Sequence, residues 1–229
     1  AEQAERIRAD EVDVLVDLGG HTDGGMTLMV LAYRPAPVQI SGIGYFASTG
    51  LSTVDYFLAD PILAAGEAEA GFTEELLVLP ATHFCWQPLH SAPAPDHAPA
   101  AGRGVVFGSF NNFTKLNDAV LRVWAEILRR VEGSRLFLKT DVFSCEDARA
   151  EALDRLAAAG IPLKCVDTEG ASRDYLAAYN HVDIALDPFP YPGGGTTCDA
   201  LYMGVPVVTM YGTRRSTRFS YAMLHLVGA

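Results

Sequence analysis

The chain has 229 residues, of which 49% are hydrophobic and 20% are charged, so it can bury one large core or two smaller ones. Asp and Glu outnumber Lys and Arg by 28 to 17, and the net charge of -11 disfavours nucleic acid and anionic membranes as partners. No apolar run approaches the roughly 20 residues of a membrane span, and the start resembles no signal peptide, which predicts a cytoplasmic protein.

The four cysteines, Cys85, Cys145, Cys165 and Cys198, are widely separated and form no C-x-x-C pair. This spacing favours isolated thiols over a zinc site or a disulfide framework. We therefore expect no structural metal.

Short apolar runs and turn residues alternate in the first half of the chain. Strands are expected at 12–17, 38–41, 55–60 and 76–79 because these runs are short, apolar and rich in β-branched or aromatic residues. Residues 26–33 are apolar at helical spacing and are followed by Arg-Pro, which predicts a helix that ends there. The first two strands and this helix form a predicted βαβ unit.

A Pro-, Ala- and His-rich segment at 87–103 has little periodicity and predicts a linker. It divides the chain into an expected first domain, 1–97, and an expected second domain, 98–229. The chain starts in what resembles the end of a helix and stops in another, so both domains are expected to be incomplete, the first at its beginning and the second at its end.

Strands and helices alternate strictly in the second half. The expected strands are 105–108, 135–139, 162–165 and 183–186, and the expected helices are 118–131, 146–159 and 172–180. This alternation predicts a doubly wound parallel sheet, which places a ligand outside the carboxyl ends of the strands.

A glycine-rich loop at 188–201 gives the strongest local signal, because it joins a buried strand to an apolar helix. Glycines allow close approach of a ligand, and the free N–H groups at a helix start suit a diphosphate. Thr196 and Thr197 can add hydroxyl donors, and Asp199 can accept hydrogen bonds from a ribose. The alternative is a tight turn with Thr as the helix N-cap.

Two further polar loops also follow predicted strands. In the loop 108–117, Lys115 can neutralise charge on a leaving diphosphate, or it can be an ordinary surface lysine. In the loop 17–23, His21 is a candidate base or ligand-contacting residue, or it can simply bond to nearby backbone.

These signals occur in the order and approximate spacing of one known family. The motifs are Gly-His-Thr at 20–22, Arg-Pro-Ala-Pro-Val-Gln at 34–39, Gly-Ile-Gly-Tyr at 42–45, Asp-Tyr at 55–56, Gly-Ser-Phe-Asn-Asn at 108–112, Asp-Pro-Phe-Pro-Tyr at 187–191, the segment 193–199 and Gly-Val-Pro-Val-Val-Thr at 204–209. Across nearly its whole length, the chain resembles bacterial members of the O-linked N-acetylglucosamine transferase and SPINDLY-like family.

The resemblance implies an α/β fold of GT-B type, with two Rossmann-like domains, the first incomplete here, and most donor contacts on the second. It also implies inverting transfer of a sugar, N-acetylglucosamine in most such enzymes, from a UDP-sugar to Ser or Thr hydroxyls of proteins, without a metal or other cofactor. The chain has no D-x-D motif, by which many glycosyltransferases hold a cation. In the family, tetratricopeptide repeats that select protein acceptors precede the catalytic region.

The resemblance assigns Lys115 to stabilising the departing UDP and makes His21 a second catalytic candidate. Many members carry His where Tyr175 stands, and some carry His in the loop that is Gly-Gly-Gly here. The expected UDP-sugar contacts are Asn112, Gly193, Gly194, Gly195, Thr196, Thr197, Asp199, Ile43, Gly44 and Tyr175.

Three alternatives remain open at this level. The protein can use another donor, such as UDP-glucose. It can bind a nucleotide sugar without transferring it, or it can be a non-catalytic α/β scaffold in which the glycine loop is only structural.

Overall fold

The structure is a computed structural model that describes residues 1–22, 26–65, 71–88, 93–96 and 104–229. The chain divides into two compact units, one formed by residues 1–85 and 212–229 and the other by residues 86–211. The boundary expected after residue 97 lies outside the described residues. Residues 212–229, which the sequence assigns to the second domain, pack within the first unit.

The first unit contains a parallel sheet in which each strand pairs with the next along the chain. Its elements are helix α1 (Glu2–Ala9), strand β1 (Val14–Asp17), helix α2 (Met26–Leu31), strand β2 (Val38–Ser41), strand β3 (Tyr56–Ala59), helix α3 (Pro61–Ala64) and strand β4 (Glu75–Val78). The four predicted strands and the βαβ unit are confirmed, with limits that differ by at most two residues.

The second unit contains five parallel strands. Its regular elements are β5 (Val106–Ser109), α4 (Asp118–Arg130), β6 (Arg135–Lys139), α5 (Glu146–Ala158), β7 (Val166–Glu169), β8 (Ile184–Leu186), α6 (Gly195–Tyr202) and β9 (Val207–Val208). The spatial order is β7-β6-β5-β8-β9, so the direction of winding reverses between β5 and β8. This is the predicted doubly wound sheet, and its switch point lies between these two strands.

Alternate residues of the central strands pack into two separate cores. Leu136 and Leu138 of β6 join a cluster with Trp124 of α4 and Leu156 of α5. Phe137, between them in sequence, joins a second cluster that includes Tyr179, Val182 and Met203. Because successive side chains of a strand point to opposite faces, both faces of the sheet are covered, as expected for a parallel sheet.

Two predicted elements of the second unit are wrong. The strand expected at 162–165 is a 3-10 turn, Leu163–Cys165, and the strand begins at Val166. Ile161, just before that turn, is buried in the core. The apolar residues at 161–163 therefore reflect a core contact that precedes the strand, and not the strand itself. The helix expected at 172–180 is a 3-10 helix, Tyr175–His181, in which the ring of Tyr179 stacks on Phe110.

The chain ends in helix α7 (Phe219–Val227), and two arginines attach this segment to the first unit. Arg215 is only 4% exposed, donates to the Leu58 carbonyl at 2.6 Å and lies over the rings of Phe57 and Phe72. Burial lowers the pKa of Arg215 to about 10. Arg218 donates to the Ala65 carbonyl at 2.7 Å. No helix within the described ranges is long and apolar enough to cross a membrane.

Asp60 connects β3, α3 and the segment around His83 in the first unit. One carboxylate oxygen accepts hydrogen bonds from the N–H groups of Ile62 and Leu63, and the other lies 2.8 Å from His83 Nδ1. Since breaking a buried pair leaves one partner uncompensated, Asp60→Ala is expected to lower the free energy of unfolding by about 3 kcal/mol. Urea denaturation followed by circular dichroism measures this, with the exposed Asp10→Ala as control.

The same carboxylate predicts how this stability depends on pH. Burial acts to raise the pKa of Asp60, but hydrogen bonds from His83 and the Leu63 N–H outweigh it and leave the pKa below its ordinary value. The stabilisation is therefore complete above the pKa of the unfolded carboxyl and is lost as the pH falls through the folded value. If Asp60→Ala leaves the acid limb of the stability profile unchanged, this assignment is wrong.

Candidate functional site

The switch point of the second sheet brings two predicted loops to the same edge. Strands β5 and β8 are parallel neighbours, so residues 110–117 and 187–194 leave the sheet side by side. Ligands of doubly wound folds bind in the crevice at this point. The structure thus brings together the Lys115 loop and the glycine loop, which the sequence identified separately.

The side chain of Asp187 holds the glycine loop through a hydrogen bond. Its buried carboxylate accepts one hydrogen bond from the Gly193 N–H at 2.7 Å and another from the Thr209 hydroxyl at 2.7 Å. A Cβ at Gly193 would lie 2.6 Å from the hydroxyl oxygens of both Thr196 and Thr197, so only glycine fits there. The sequence did not identify Asp187 as a site residue, because its role depends on these two contacts.

Helix α6 starts immediately after this loop. Gly194 is its N-cap and forms no side-chain cap, and Thr197 lies in the first turn, so the alternative of a Thr N-cap is wrong. The first N–H groups of a helix have no partner inside it, and they carry the positive end of the helix dipole. A Cβ at Gly195 would meet no atom within 4 Å, which leaves this helix start accessible.

Lys115 lies at the end of a 3-10 turn, Phe113–Lys115, and its side chain is half-buried in the site. The ammonium donates to Asn111 Oδ1 at 3.2 Å and to the Pro192 carbonyl at 3.0 Å, and it lies 4.2 Å from the centroid of the Tyr191 ring. Burial lowers the pKa of Lys115, and the nearby Asp187 acts in the opposite direction. The side chain is therefore held against the glycine loop.

The two adjacent asparagines have different positions. Asn112 is exposed, and its Oδ1 accepts from the Thr114 N–H at 3.0 Å and from the Thr114 hydroxyl at 2.9 Å. Asn111 is 6% exposed, and its Oδ1 accepts from both Lys115 and the Thr196 hydroxyl, at 3.2 and 3.3 Å. Asn111 therefore connects the two loops. The sequence singled out only Asn112, and burial alone distinguishes the pair.

Asp199 is 4% exposed and is contacted by two aromatic side chains. Trp86 Nε1 donates to its Oδ1 at 2.9 Å, and the Tyr175 hydroxyl also bonds to this carboxylate. Burial raises the pKa of Asp199, while both hydrogen bonds act to lower it. Burial and the adjacent Asp199 raise the pKa of Tyr175 to about 12, so Tyr175 stays a protonated donor. The sequence treated Trp86 as a packing residue.

A cavity of about 380 Å³ opens beside Tyr175. Its walls come from the carboxyl ends of three neighbouring strands and from the start of α6: Phe110, Asn112, Lys139, Thr140, Asp141, Gly170, Ala171, Ser172, Tyr175 and Thr196. The buried ammonium of Lys139 fixes one wall through Glu169 Oε1 at 2.5 Å, the Gly170 carbonyl at 2.9 Å and the Ser172 hydroxyl at 2.8 Å. No sequence motif pointed to Lys139.

Three expected residues lie in the first unit. His21 is exposed, and its Nε2 lies 3.2 Å from the Ser48 carbonyl, so the neutral ring carries its proton there and Nδ1 is the acceptor. Ile43 has φ of 68°, an unusual value for a β-branched residue, which costs of order 1–3 kcal/mol. Gly44 is required, since a Cβ there would lie 1.9 Å from the Leu18 carbonyl oxygen.

Among the residues that the structure describes, no group of three or more His, Cys, Asp or Glu side chains could hold a metal ion. The four cysteines are free thiols. Burial, with a smaller effect from Asp199, raises the pKa of Cys198 to about 11.

Comparison with known proteins identifies the family. Residues 1–91 and 96–229 match glycosyl transferase family 41. The chain belongs to this family. One relative, from Arabidopsis thaliana, is described as a probable UDP-N-acetylglucosamine–peptide N-acetylglucosaminyltransferase SPINDLY and is 42% identical over 98% of this chain and 25% of its own length. A SPINDLY relative from Solanum lycopersicum is 42% identical over 97% of this chain and 24% of its own length.

Solved structures agree on the fold of this family 41 chain. A point mutant of the O-GlcNAc transferase from Thermobaculum terrenum is 34% identical and superposes with a TM-score of 0.88 over 99% of this chain and 43% of its own. A glycosyltransferase from Rickettsia africae is 10% identical, with a TM-score of 0.55 over 90% of this chain and 59% of its own, and so shares only the fold. The α/β fold of GT-B type is thus confirmed, and the chain spans about a quarter of the length of the curated relatives.

Proposed function

We propose that this family 41 chain carries the donor site of a protein glycosyltransferase. The proposed reaction is transfer of N-acetylglucosamine from UDP-N-acetylglucosamine to Ser or Thr hydroxyls of proteins. The SPINDLY relatives are described as probable UDP-N-acetylglucosamine–peptide N-acetylglucosaminyltransferases, which supports this donor and a peptide acceptor. Its main support is the position of the Lys115 ammonium, which is hydrogen-bonded to the Pro192 carbonyl within the glycine loop, three residues before the start of α6. UDP-glucose is the alternative donor.

The proposed transfer requires no metal. The acceptor oxygen attacks the anomeric carbon from the face opposite the leaving group, and the electron pair of the breaking C–O bond passes to the UDP diphosphate, so the configuration inverts. Lys115 and the first N–H groups of α6 supply positive charge where negative charge develops, which favours the transition state over the bound substrate. The hydroxyl proton passes to a base, for which Nδ1 of His21 is the candidate.

The second unit offers positions for the remaining proposed donor contacts. We place the ribose at Asp199 and the nucleobase in the adjoining cavity lined by Tyr175 and Ser172. A carboxylate has about four acceptor positions, so hydrogen bonds from Trp86 and Tyr175 leave capacity for ribose hydroxyls. Because only 4% of Asp199 is exposed, ribose binding requires one of these aromatic side chains to move.

Calorimetric titration with UDP tests the donor site directly. Binding is expected to be the same with and without magnesium, and Asp199→Ala is expected to weaken it roughly 10- to 100-fold, the range for hydrogen bonds to a charged group. The exposed Asp154→Ala is the matched control and should bind UDP normally.

Each result has a separate meaning. Binding that depends on magnesium would contradict the metal-free mechanism. Unchanged affinity in Asp199→Ala would remove the ribose contact from this residue. A folded protein that does not bind UDP would contradict the donor site itself and favour a structural glycine loop.

A binding module without transfer activity is the second candidate function. It shares the UDP site, so titration does not distinguish it from a transferase. Turnover measurements on Lys115 variants do, because this residue is proposed to act on the leaving group and not mainly on binding.

A further inference from the structure

We propose that Tyr191 is a positioning residue for Lys115. Its ring covers one side of the ammonium and, together with Asn111 Oδ1 and the Pro192 carbonyl, holds that charge at the glycine loop without neutralising it. The inference rests on the proposed function, since it assigns a role to Tyr191 in the same donor site.

The direct contacts of the ammonium are with neutral groups. Lys115 Nζ donates to Asn111 at 3.2 Å and to Pro192 at 3.0 Å, and the centroid of the Tyr191 ring is 4.2 Å away. Asp187 affects Lys115 through its electrostatic field, while its own oxygens accept from Gly193 and Thr209. All three direct partners of Lys115 are thus uncharged.

Neutral partners suit a residue that must receive an anion. A carboxylate bonded to Lys115 would cancel the charge that a diphosphate has to meet, whereas the face of an aromatic ring stabilises a cation and leaves its charge intact. Amide and carbonyl oxygens act in the same way as acceptors. A preorganised ammonium whose direct partners are neutral is the arrangement that stabilises the negative charge developing on a leaving phosphate.

Hydrogen bonds hold the backbone that carries Tyr191. Asn117 donates to the Phe189 carbonyl at 2.7 Å, and Asp187 accepts from the Gly193 N–H at 2.7 Å, so hydrogen bonds hold the segment on both sides of Tyr191. The Tyr191 side chain is 42% exposed, which leaves part of it accessible from solvent.

Substitution by leucine isolates the contribution of the aromatic face. Leucine is apolar, like the ring, but has no quadrupole, so Tyr191→Leu removes the stabilisation that the aromatic face gives to the charged form. The pKa of Lys115 is therefore expected to fall by roughly 0.5 to 1 unit. Tyr191→Phe retains the ring face and should leave this pKa near the native value.

Two measurements on the full-length protein test the inference. NMR titration with 13C-labelled lysine reports the Lys115 pKa without any ligand, and the signal is assigned by its loss in Lys115→Arg. Turnover with UDP-N-acetylglucosamine and an acceptor protein is expected to drop in Tyr191→Leu by roughly 10-fold in kcat, with a smaller change in KM, and to recover in Tyr191→Phe. Tyr33→Leu, which removes an exposed tyrosine of the first unit, is the control and should behave as the native protein.

The outcomes separate this inference from the proposed function. A native Lys115 pKa and native kcat in Tyr191→Leu would overturn the role of Tyr191. Equal impairment of Tyr191→Phe and Tyr191→Leu would assign the effect to the hydroxyl and overturn it as well. A lowered Lys115 pKa in Tyr191→Leu, in a protein whose turnover does not depend on Lys115, would support the positioning contact and overturn the proposed function.

Discussion

Lys115→Met is expected to lower kcat of the full-length protein by roughly 100- to 1000-fold, the cost of removing one preorganised charge donor from a transition state. Methionine keeps a long apolar side chain but carries no charge, so the packing against Tyr191 changes little. The dissociation constant of UDP-N-acetylglucosamine should rise by less, about 10-fold or under, because the intact donor lacks the additional negative charge that develops on the leaving phosphate as the bond breaks.

The measurement is initial-rate kinetics with labelled UDP-N-acetylglucosamine, combined with calorimetric titration of the same variant with UDP-N-acetylglucosamine in the absence of an acceptor. Lys164→Met is the matched control, since Lys164 is exposed on the second unit and should be replaceable without effect. A larger loss in affinity for UDP-N-acetylglucosamine than in kcat would make Lys115 a ground-state ligand. Native turnover would remove it from catalysis.

The same experiment decides between the two candidate functions. A transferase loses turnover in Lys115→Met while it still binds UDP-N-acetylglucosamine. A binding module has no turnover in the native protein, and its affinity for UDP-N-acetylglucosamine alone responds to the substitution.

The order of elements could be predicted from the sequence because most strands of both sheets are short apolar runs. All four residues of β5 are buried, and such a run has few alternatives to a central parallel strand. Strand β7 was not predicted because its sequence, Val-Asp-Thr-Glu, is mostly polar. In the described sheet it lies at the edge and pairs only with β6. Its identity as a strand depends on its partner, which local composition does not encode.

Residues of the candidate site could be predicted only where they belong to a motif whose residue types indicate a chemical role. The glycines and threonines before α6 and the lysine after β5 have a recognisable order, and the structure brings them to one sheet edge. Trp86 had no such signal, since its bond to Asp199 joins residues separated by 113 positions. Asn111 was missed because its neighbour Asn112 has the same side chain, and the sequence does not show which of the two is buried.

Gly193→Ala is expected to disrupt the donor site and the second unit together. The added Cβ would lie 2.6 Å from the hydroxyl oxygens of Thr196 and Thr197 and 3.0 Å from Asp187 Oδ1, so the loop must move away from the carboxylate that holds it. Overpacking of this kind costs about 1–3 kcal/mol. Urea denaturation should show that loss, and UDP binding should fall below detection.

Gly195→Ala, two residues further on, should separate stability from binding. A Cβ at Gly195 meets no atom within 4 Å, and alanine is a better helix former than glycine by up to about 1 kcal/mol, so the free energy of unfolding should stay unchanged or rise. The methyl group nevertheless projects from the first residue of α6, where the diphosphate is proposed to lie, and should weaken UDP binding roughly 10-fold. Weaker binding in a variant that is at least as stable as the native protein can only come from the ligand contact, whereas native affinity in Gly195→Ala would mean that the diphosphate does not bind at the start of α6.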